Sequence, residues 1–279
     1  MILLTGAKGQ LGTEMCHLLD EMSLSYVATD RESMDITNKE NVQEVFAQHK
    51  PEFVFHMAAY TAVDKAEDEG KDANYLINET GTRNVAEAAE EIGATVVYVS
   101  TDYVFDGTKQ DSEYLPDDAV NPQNEYGRGK LLGEEAVKTI CSKYYIVRTS
   151  WVFGNFGHNF VFTMQRLVQT HSRLTIVNDQ FGRPTWTRTL AEFMVHLTKK
   201  KPEYGTYHLS NDGACTWYDF AKEILKDENI EVAPVTSEQF PQKAKRPQFS
   251  VMSLDKAKGT GFEIPSWEVA LADMLKYSS

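Results

Sequence analysis

The sequence predicts an α/β protein built on a doubly wound parallel sheet, with a smaller C-terminal lobe beside it. Three observations support this fold class. Short apolar segments alternate with amphipathic segments through the first half, a glycine-rich turn joins the first such pair, and the second half is less regular. Strands that alternate with helices favour a parallel sheet covered on both faces, because each parallel strand needs a crossover connection.

Five strands and four helices are predicted in the first half of the chain. Apolar runs rich in β-branched residues predict the strands, and apolar residues at helical spacing predict the helices. The strands are expected at residues 2–5, 25–29, 53–56, 95–99 and 144–149, and the helices at residues 10–22, 38–49, 69–92 and 122–140. Right-handed crossovers between these strands give a doubly wound sheet.

The second half keeps part of this alternation. Helices are predicted at residues 159–170, 187–200 and 216–226, strands at 174–177 and 206–209, and a last helix at 266–277. From Val232 to that last helix, proline and polar residues dominate. We therefore predict two domains: a sheet domain of residues 1–172 and 187–209, and a smaller domain of residues 173–186 and 210–279 over the carboxyl ends of the strands.

The charge of the chain excludes some partners. Lys and Arg number 28 and Asp and Glu number 41, which gives a formal net charge of −13. This charge argues against nucleic acid or an anionic membrane as the main partner, and any anionic ligand needs a local basic cluster or backbone N–H donors. The sequence has neither an apolar stretch of membrane-helix length nor a signal-peptide pattern, so we expect a cytoplasmic protein.

Cysteine and histidine usage indicates neither a disulfide framework nor a metal site. The three cysteines, Cys16, Cys141 and Cys215, lie far apart and form no CxxC pair. We expect free thiols that are buried or half-buried. The seven histidines show no metal-ligand spacing, so no metal is predicted.

A glycine-rich loop follows the first predicted strand and opens the first predicted helix. Its sequence GAKGQLG has the spacing GxxGxxG over residues 6–12. Such glycines allow a tight turn and a close approach of the backbone to a pyrophosphate, while the helix N-terminus supplies N–H donors. The sheet domain is therefore predicted to be a dinucleotide-binding Rossmann fold, with cofactor contacts from Gly6, Lys8, Gly9, Gln10, Leu11 and Gly12.

The residues after the second predicted strand leave the choice of dinucleotide open. Asp30 ends that strand, where a carboxylate normally accepts hydrogen bonds from a ribose 2′-hydroxyl and favours NAD. The adjacent Arg31 favours NADP, since it can bind a 2′-phosphate. Asp35 could reach the adenine amine or cap the next helix. We expect NADPH as the cofactor, with NADH as the alternative.

A Tyr-x-x-x-Lys pair lies in the fourth predicted helix. Tyr126 and Lys130 are four residues apart and share one helix face. A lysine ammonium beside a phenol favours the phenolate, so we expect it to lower the pKa of the tyrosine from about 10. Such a tyrosine can give a proton to a carbonyl oxygen while a hydride reaches the carbon. Thr101, at the end of the fourth predicted strand, can stabilise the same oxygen.

Several longer motifs make a family resemblance specific. They are HMAAYTAVDKAE (residues 56–67), NETGT (78–82), STDYVFDG (100–107), RTSWVFG (148–154), DQFGRPT (179–185) and Arg246-Pro247. Together with the glycine loop and the YxxxK pair, they extend over essentially the whole chain. The sequence resembles the extended short-chain dehydrogenase/reductases and, among them, the family of dTDP-4-dehydrorhamnose reductases.

This resemblance implies an NAD(P)H-dependent oxidoreductase of nucleotide-sugar biosynthesis. The expected reaction is reduction of the C4 ketone of dTDP-4-dehydro-β-L-rhamnose to dTDP-L-rhamnose, for cell-surface polysaccharide. Thr101, Tyr126 and Lys130 would form the catalytic triad, with Tyr126 as the general acid. The smaller domain would bind the substrate.

The resemblance also implies the remaining site residues. Asn78 would support the active site from its helix. Besides the glycine loop, the implied cofactor contacts are Asp30, Arg31, Asp35, Ile36, Ala58, Ala59, Tyr60, Tyr126 and Lys130. The implied substrate contacts are Thr101, Asp102, Tyr103, Trp151 and Asn159 around the sugar, and Arg183 and Arg246 at the diphosphate.

Two other functions stay open at this point. The first is another nucleotide-sugar enzyme of this family. However, its dehydratases carry an acid directly after Thr-Asp, where this chain has Tyr103, and its epimerases are generally longer. The second is a non-catalytic, dinucleotide-binding regulatory subunit that resembles the β subunit of methionine adenosyltransferase. The presence of both Tyr126 and Lys130 disfavours that second function.

Some members of the reductase family are described as dimers bridged by Mg²⁺ through glutamates. Glu14 and Glu192 match two of those positions, but the C-terminal helix carries Lys276 near the third. Because a lysine repels a divalent cation, we expect no metal bridge. The oligomeric state stays open, with a homodimer as one option.

Overall fold

The computed structural model describes residues 1–110 and 112–277. Its strands are β1 (Ile2–Thr5), β2 (Tyr26–Ala28), β3 (Phe53–His56), β4 (Thr95–Thr101), β5 (Tyr144–Thr149), β6 (Val152–Phe153), β7 (Arg173–Val177), β8 (Phe181–Gly182), β9 (Thr185–Trp186), β10 (Gly205–His208), β11 (Cys215–Thr216) and β12 (Glu231–Val235). Its α-helices are α1 (Gln10–Glu21), α2 (Lys39–His49), α3 (Lys71–Tyr75), α4 (Thr82–Glu91), α5 (Glu125–Ile140), α6 (Phe160–Val168), α7 (Thr187–Lys200), α8 (Trp217–Ile224), α9 (Asp255–Lys258) and α10 (Trp267–Tyr277).

A six-stranded parallel sheet forms the centre of the molecule. Its strand order is β2-β1-β3-β4-β5-β10, and every neighbouring pair is parallel. The predicted doubly wound α/β fold is confirmed. All strand carboxyl ends therefore lie at one edge of the sheet, which is where α/β proteins of this kind bind ligands.

Helices cover both faces of this sheet, because the strands are apolar on both sides. On one face, α1 and α7 pack their apolar residues against β1, β3 and β5, as Leu18 and Phe193 illustrate. On the other face, α2, α4 and α5 do the same with residues such as Phe46, Val85 and Val137. Burial of this kind contributes about 25 cal/mol for each Å² of apolar surface removed from water.

The helix predicted at residues 69–92 differs from the structure. It begins at Lys71, and a π-helical turn at Leu76–Gly81 separates α3 from α4. A π-turn changes only which backbone groups pair, so apolar spacing does not reveal it. Residues 65–67 form a separate 3₁₀ helix. The helix predicted at 122–140 starts at Glu125, because the side chain of Asn124 caps it by accepting from the Gly127 N–H at 2.7 Å.

Outside the central sheet, the described residues form three short strand pairs. β7 pairs with β12 in parallel, β6 with β9 in parallel, and β8 with β11 antiparallel. The pattern did not predict β12, because Glu231 and Pro234 interrupt its apolar residues. Pro234 is tolerated there because a two-stranded sheet consists only of edges.

Two further expectations concern thiols and membrane helices. The structure confirms free thiols, with Cys141 and Cys215 buried and Cys16 half-buried. Within the described parts of the chain, no helix has the length and apolar character needed to span a membrane.

Candidate active site

The glycine loop has the tight geometry that its sequence predicts. Gly6 has a φ of +70°, and a Cβ there would lie 2.8 Å from the Cα of Ala58. A Cβ on Gly12 would lie 2.1 Å from the Gly6 carbonyl oxygen. Helix α1 starts at Gln10 without a side-chain cap. Its first N–H groups and its positive dipole end are therefore available to a phosphate.

A cleft of about 510 Å³ lies beside this loop. Among its lining residues are Ala7, Lys8, Thr29 and Asp30. The exposed loop backbone, the uncapped helix start and the carboxylate at the end of β2 fit a dinucleotide, whose adenosine half would lie in this cleft.

Asp30 is the most strongly held charge in this cleft. Its Oδ1 accepts from the N–H groups of Glu32 and Ser33, both at 3.0 Å, and from the Ser33 hydroxyl at 2.9 Å. Asp30 also forms an ion pair with Lys8. Lys8 and these donors hold the pKa of Asp30 well below its usual range. Arg31 is exposed next to it.

Asp35 forms a local turn. Its Oδ1 accepts from the Thr37 N–H at 2.9 Å and from the Thr37 hydroxyl at 2.7 Å. The cap of α2 is a different residue, Asn38. Ile36 is buried against Gly81 of the π-turn.

Buried hydrogen bonds to Thr5 of β1 hold the loop that follows β3. The Thr5 hydroxyl accepts from the N–H groups of Met57 and Ala58 at 3.2 and 3.1 Å, and it contacts His56 Nδ1 at 2.7 Å. His56 Nε2 lies 3.0 Å from the Thr82 hydroxyl. Burial lowers the pKa of His56 to about 3, so this histidine stays neutral and structural.

Asn78 holds the next residues of the same loop. Its Oδ1 accepts from the Tyr60 N–H and its Nδ2 donates to the Tyr60 carbonyl, both at 3.0 Å. Nδ2 also donates to Asn74 Oδ1 at 2.8 Å. Asn78 lies in the π-turn and is fully buried. Its side chain therefore fixes the chain that carries Ala59 and Tyr60.

Thr101, Tyr126 and Lys130 meet at the carboxyl end of β4 and the start of α5. Thr101 is the last residue of β4, and Tyr126 lies in the first turn of α5. The Tyr126 ring packs edge-on against the Tyr103 ring, with centroids 5.9 Å apart. The Tyr126 phenol interacts with the Thr101 hydroxyl, which favours the phenolate. The predicted residues thus lie together beside the glycine loop's edge of the sheet.

The predicted lowering of the tyrosine pKa was wrong for the cofactor-free protein. Burial and the Asp102 carboxylate raise the pKa of Tyr126 well above its usual value. Lys130 Nζ donates to the Val99 carbonyl at 2.8 Å and lies 4.1 Å from the centroid of the Tyr98 ring. Burial lowers the pKa of Lys130 to about 7, with Glu134 opposing this shift. Tyr126 is therefore protonated at neutral pH, as a general acid must be.

Asp102 is a buried acid next to this group. It is 3% exposed, and its Oδ1 accepts from the Thr101 hydroxyl at 3.0 Å. Burial raises its pKa to about 6, although hydrogen bonds from Ser250 and Thr101 favour the charged form. Its Oδ2 lacks a hydrogen-bond partner within residues 1–110 and 112–277.

Arg246 lies above Tyr103 and is paired with an acid. Its Nη1 donates to the Tyr103 hydroxyl at 3.3 Å, and its Nη2 lies 2.7 Å from Asp64 Oδ2. Asp64 Oδ1 also accepts from the Ala244 N–H at 3.0 Å. Asp64, from the HMAAYTAVDKAE motif, thus ties residues 244–246 to the sheet domain.

Arg183 is buried and held by a carbonyl and a carboxylate. Its Nη1 donates to the Met252 carbonyl at 2.8 Å, and its Nη2 pairs with Glu113 Oε1 at 2.6 Å. Its Nε is buried without a partner among the residues that the structure describes. An arginine that is 9% exposed presents little of its charge to solvent.

Trp151 and Asn159 both contact residues that are distant in sequence. Trp151 has a φ of +48° and stacks on Trp217 with ring centroids 3.7 Å apart. Asn159 caps α6 by accepting from the Phe162 N–H at 3.1 Å, and its Nδ2 donates to Gln10 Oε1 at 3.0 Å. Asn159 therefore joins α6 to the start of α1.

The sequence pattern missed a buried ion pair under the site. Glu134 is fully buried, and it accepts from Arg148 Nε and Nη2 at 2.8 and 2.7 Å. It also accepts from the Ser100 hydroxyl at 2.7 Å and from Lys138 Nζ at 3.1 Å. One carboxylate thus joins α5 to β4 and β5 beside Thr101. Its position four residues after Lys130, on the same helix face, was an available signal.

Glu14 and Glu192 lie around a guanidinium. Arg188 Nε donates to Glu192 Oε1 at 2.8 Å, and its Nη1 lies 3.7 Å from Glu14 Oε1. Arg188 also pairs with Glu21 at 2.6 Å. In the described part of the chain, no three His, Cys, Asp or Glu side chains form a group that could hold a metal ion.

Comparison with known proteins agrees with this geometry. A family model described as "RmlD substrate binding domain" matches residues 1–279. The spore coat polysaccharide biosynthesis protein SpsK of Bacillus subtilis (strain 168) is 40% identical over 280 residues, which cover 100% of this chain and 98% of that protein.

Two crystal structures are similar over nearly the full length. A dTDP-4-dehydrorhamnose reductase from Clostridium acetobutylicum is 43% identical, with a TM-score of 0.95 over 99% of this chain and 98% of that chain. A dTDP-4-dehydrorhamnose reductase from Bacillus anthracis, solved in complex with NADP, is 40% identical, with a TM-score of 0.94 over 99% and 98%. The chain belongs to the RmlD substrate binding domain family.

Proposed function

We propose that this protein reduces the C4 ketone of dTDP-4-dehydro-β-L-rhamnose to dTDP-L-rhamnose, a step in polysaccharide biosynthesis. The observation that carries the proposal is the meeting of Thr101, Tyr126 and Lys130 at the sheet edge that holds the glycine loop. The names of the relatives point to the same substrate. When bound, NADPH or NADH supplies a hydride to the ketone carbon.

Tyr126 is the proton donor in this reaction. Its raised pKa keeps the phenol protonated, and the Thr101 hydroxyl beside it stabilises the developing charge on the oxygen. Lys130 is nearly fully buried, and we assign it to the ribose next to the nicotinamide. Tyr103 stands where the family's dehydratases have an acid, which disfavours water elimination.

The cofactor and substrate residues are assigned by position. Gly6–Gly12 and Ala58–Tyr60 would hold the dinucleotide, with Lys8, Asp30 and Arg31 at its adenosine ribose. Asp102, Tyr103, Trp151 and Asn159 would border the sugar. Arg183 and Arg246 would neutralise the diphosphate, because an anionic ligand on a chain with a net charge of −13 needs local basic groups. Residues 1–172 and 187–209 would form the dinucleotide-binding domain, and residues 173–186 and 210–279 the substrate-binding domain.

The test is NADPH oxidation by the purified protein, with dTDP-4-dehydro-L-rhamnose generated from dTDP-glucose in the same tube. NADH is run in parallel, and the product is identified as dTDP-L-rhamnose. Tyr126→Phe should lower the rate by about 10²–10⁴-fold and leave NADPH binding intact. Tyr204→Phe is the control, because Tyr204 is 42% exposed at a distant surface.

Two outcomes would contradict the proposal. If Tyr126→Phe kept more than about a tenth of the rate, Tyr126 would not be the general acid. If the wild type bound NADPH but oxidised none of it, a different keto-sugar and then a regulatory function would be favoured.

We also propose that the enzyme works in the cytoplasm and needs no Mg²⁺ for assembly. Arg188 pairs with Glu14, Glu21 and Glu192, so its guanidinium already lies among these carboxylates and would repel a divalent cation there. Sizing at several concentrations, with Mg²⁺ or with a chelator, tests this. A dimer that forms only with Mg²⁺ would contradict it.

A further inference from the structure

Asp102 carries a carboxyl group that is buried beside the proposed proton donor. It follows Thr101 at the carboxyl end of β4, where a 3₁₀ helix over Asp102–Val104 begins. It is 3% exposed, and its Oδ2 has no hydrogen-bond partner among the described residues. A buried carboxylate normally satisfies both oxygens, so an unused one calls for an explanation.

Thr101 connects this carboxyl group to Tyr126. The Thr101 hydroxyl donates to Asp102 Oδ1 at 3.0 Å and accepts from the Tyr103 N–H at 3.2 Å. The same hydroxyl also interacts with the Tyr126 phenol. A threonine hydroxyl has one proton and two lone pairs, so it can receive a proton from one neighbour while it gives its own to another.

The surroundings keep Asp102 able to change its charge. The titratable groups that interact with it are the phenols of Tyr103 and Tyr126. Behind Tyr103 lies the ion pair of Arg246 with Asp64. Burial raises the pKa of Asp102 to about 6, far below that of either phenol. A proton therefore moves downhill in free energy when Asp102, rather than Tyr126, ends as the anion.

We propose that Asp102 is the terminal acid of a proton relay that runs through the hydroxyl of Thr101 to the phenol of Tyr126. The ketone carbon takes the hydride with both electrons, and its oxygen takes the proton of Tyr126. In the protonated form of Asp102 the hydrogen bond between Asp102 and Thr101 is reversed, so that the carboxyl donates to the Thr101 hydroxyl and the Thr101 proton turns to Tyr126. Tyr126 then takes the hydroxyl proton of Thr101, and Thr101 takes the carboxyl proton of Asp102. The negative charge thus ends on the Asp102 carboxylate, which regains a proton from water once the product leaves.

This relay rests on the proposed ketone reduction, and its signature is a dependence on the protonated form of Asp102. The rate of a single turnover should fall as the pH rises through the pKa of Asp102. In mixtures of H₂O and D₂O the rate should curve with the deuterium fraction, because more than one proton moves.

The test compares Asp102→Asn with wild type in single-turnover NADPH oxidation across the neutral pH range. Asparagine keeps the shape and can still accept from Thr101, but it carries no acidic proton. We expect a rate at least about tenfold lower, no fall with pH, and a linear dependence on deuterium. Thr101→Ser should keep the curvature, and Thr101→Val should lose it. The matched control is Asp106→Asn, since Asp106 lies in the same segment but bonds to Thr108 and Tyr114.

A second readout does not depend on turnover. Carbon-13 NMR of the labelled aspartate carboxyls in the cofactor-free protein should show one resonance that titrates near pH 6. That resonance should be missing from Asp102→Asn. An active wild type with an Asp102→Asn variant that keeps its pH profile and its curvature would overturn the relay alone. A wild type that reduces no keto-sugar would overturn the proposed function as well.

Discussion

Replacing Glu134 with alanine would leave a guanidinium uncompensated in the core. Arg148 is 1% exposed, and two of its nitrogens bond to the Glu134 carboxylate. Removing one partner of such a buried pair costs about 3–5 kcal/mol, because the remaining charge has lost both water and its counter-ion. The Ser100 hydroxyl would lose its acceptor as well.

This cost converts into a shift of the unfolding midpoint. At ~2.1 cal/mol/K per residue, the unfolding entropy of a chain of this length is about 0.6 kcal/mol/K. The midpoint of Glu134→Ala should therefore fall by about 5–9 °C in a thermal melt followed by circular dichroism. Glu135→Ala is the matched control, since Glu135 is the exposed neighbour on the same helix, and it should shift the midpoint by about 1 °C or less.

The double variant Glu134→Leu/Arg148→Met separates charge from packing. It removes both charges together, so it should cost clearly less than Glu134→Ala. The reasoning would be refuted if Glu134→Ala melted within about 1 °C of the wild type. The reasoning would also be refuted if the double variant were less stable than Glu134→Ala.

Four further variants test the cofactor site and Lys130. Lys8→Ala should weaken NADPH binding about fivefold more than NADH binding, and Asp30→Ala should weaken NADH binding more than NADPH binding. Fluorescence titration with each cofactor measures both effects. Equal losses for the two cofactors would contradict this assignment. Gly6→Ala should lose cofactor binding, because a φ of +70° and a contact of 2.8 Å with Ala58 leave no room for a methyl group; a normal dissociation constant would count against it. Because the pKa of Lys130 is lowered to about 7 on folding, the unfolded chain binds more protons above pH 7, so the stability of the cofactor-free protein should rise with pH there. Lys130→Met should flatten that rise in urea titrations, and an unchanged slope would be inconsistent with a buried, neutral lysine.

The parts of the fold that the sequence predicted are those that depend on local pattern. The strand at Tyr144–Thr149 is apolar on both faces because helices cover both sides, so its run of apolar residues is continuous. The glycine loop was equally predictable from the sequence, because its backbone geometry restricts which residues fit. Strand β12 could not be predicted from the sequence, because its pairing with β7, and not its own composition, makes it a strand.

The positions of the proposed site residues in the fold were more predictable than their electrostatics. Thr101 ends β4, and Tyr126 and Lys130 lie on α5, as the local apolar spacing predicted. The direction of the shift in the Tyr126 pKa could not be predicted from the sequence. It depends on burial, on the Asp102 carboxylate and on the Lys130 side chain, which donates to the Val99 carbonyl. The pairing of Glu134 with Arg148 likewise joins residues that only the folded sheet brings into contact.

One edge of the central sheet is completed by a strand from the second half of the chain. Strand β10, at Gly205–His208, completes one edge by pairing with β5, and α7 supplies apolar residues that pack on α1. A fragment that ends at residue 172 would contain Thr101, Tyr126 and Lys130, yet it would expose β5 as an open edge and leave Leu18 and Leu19 uncovered. During synthesis the nascent chain must therefore wait for about three quarters of its length before its core can close, and until then it depends on protection from aggregation.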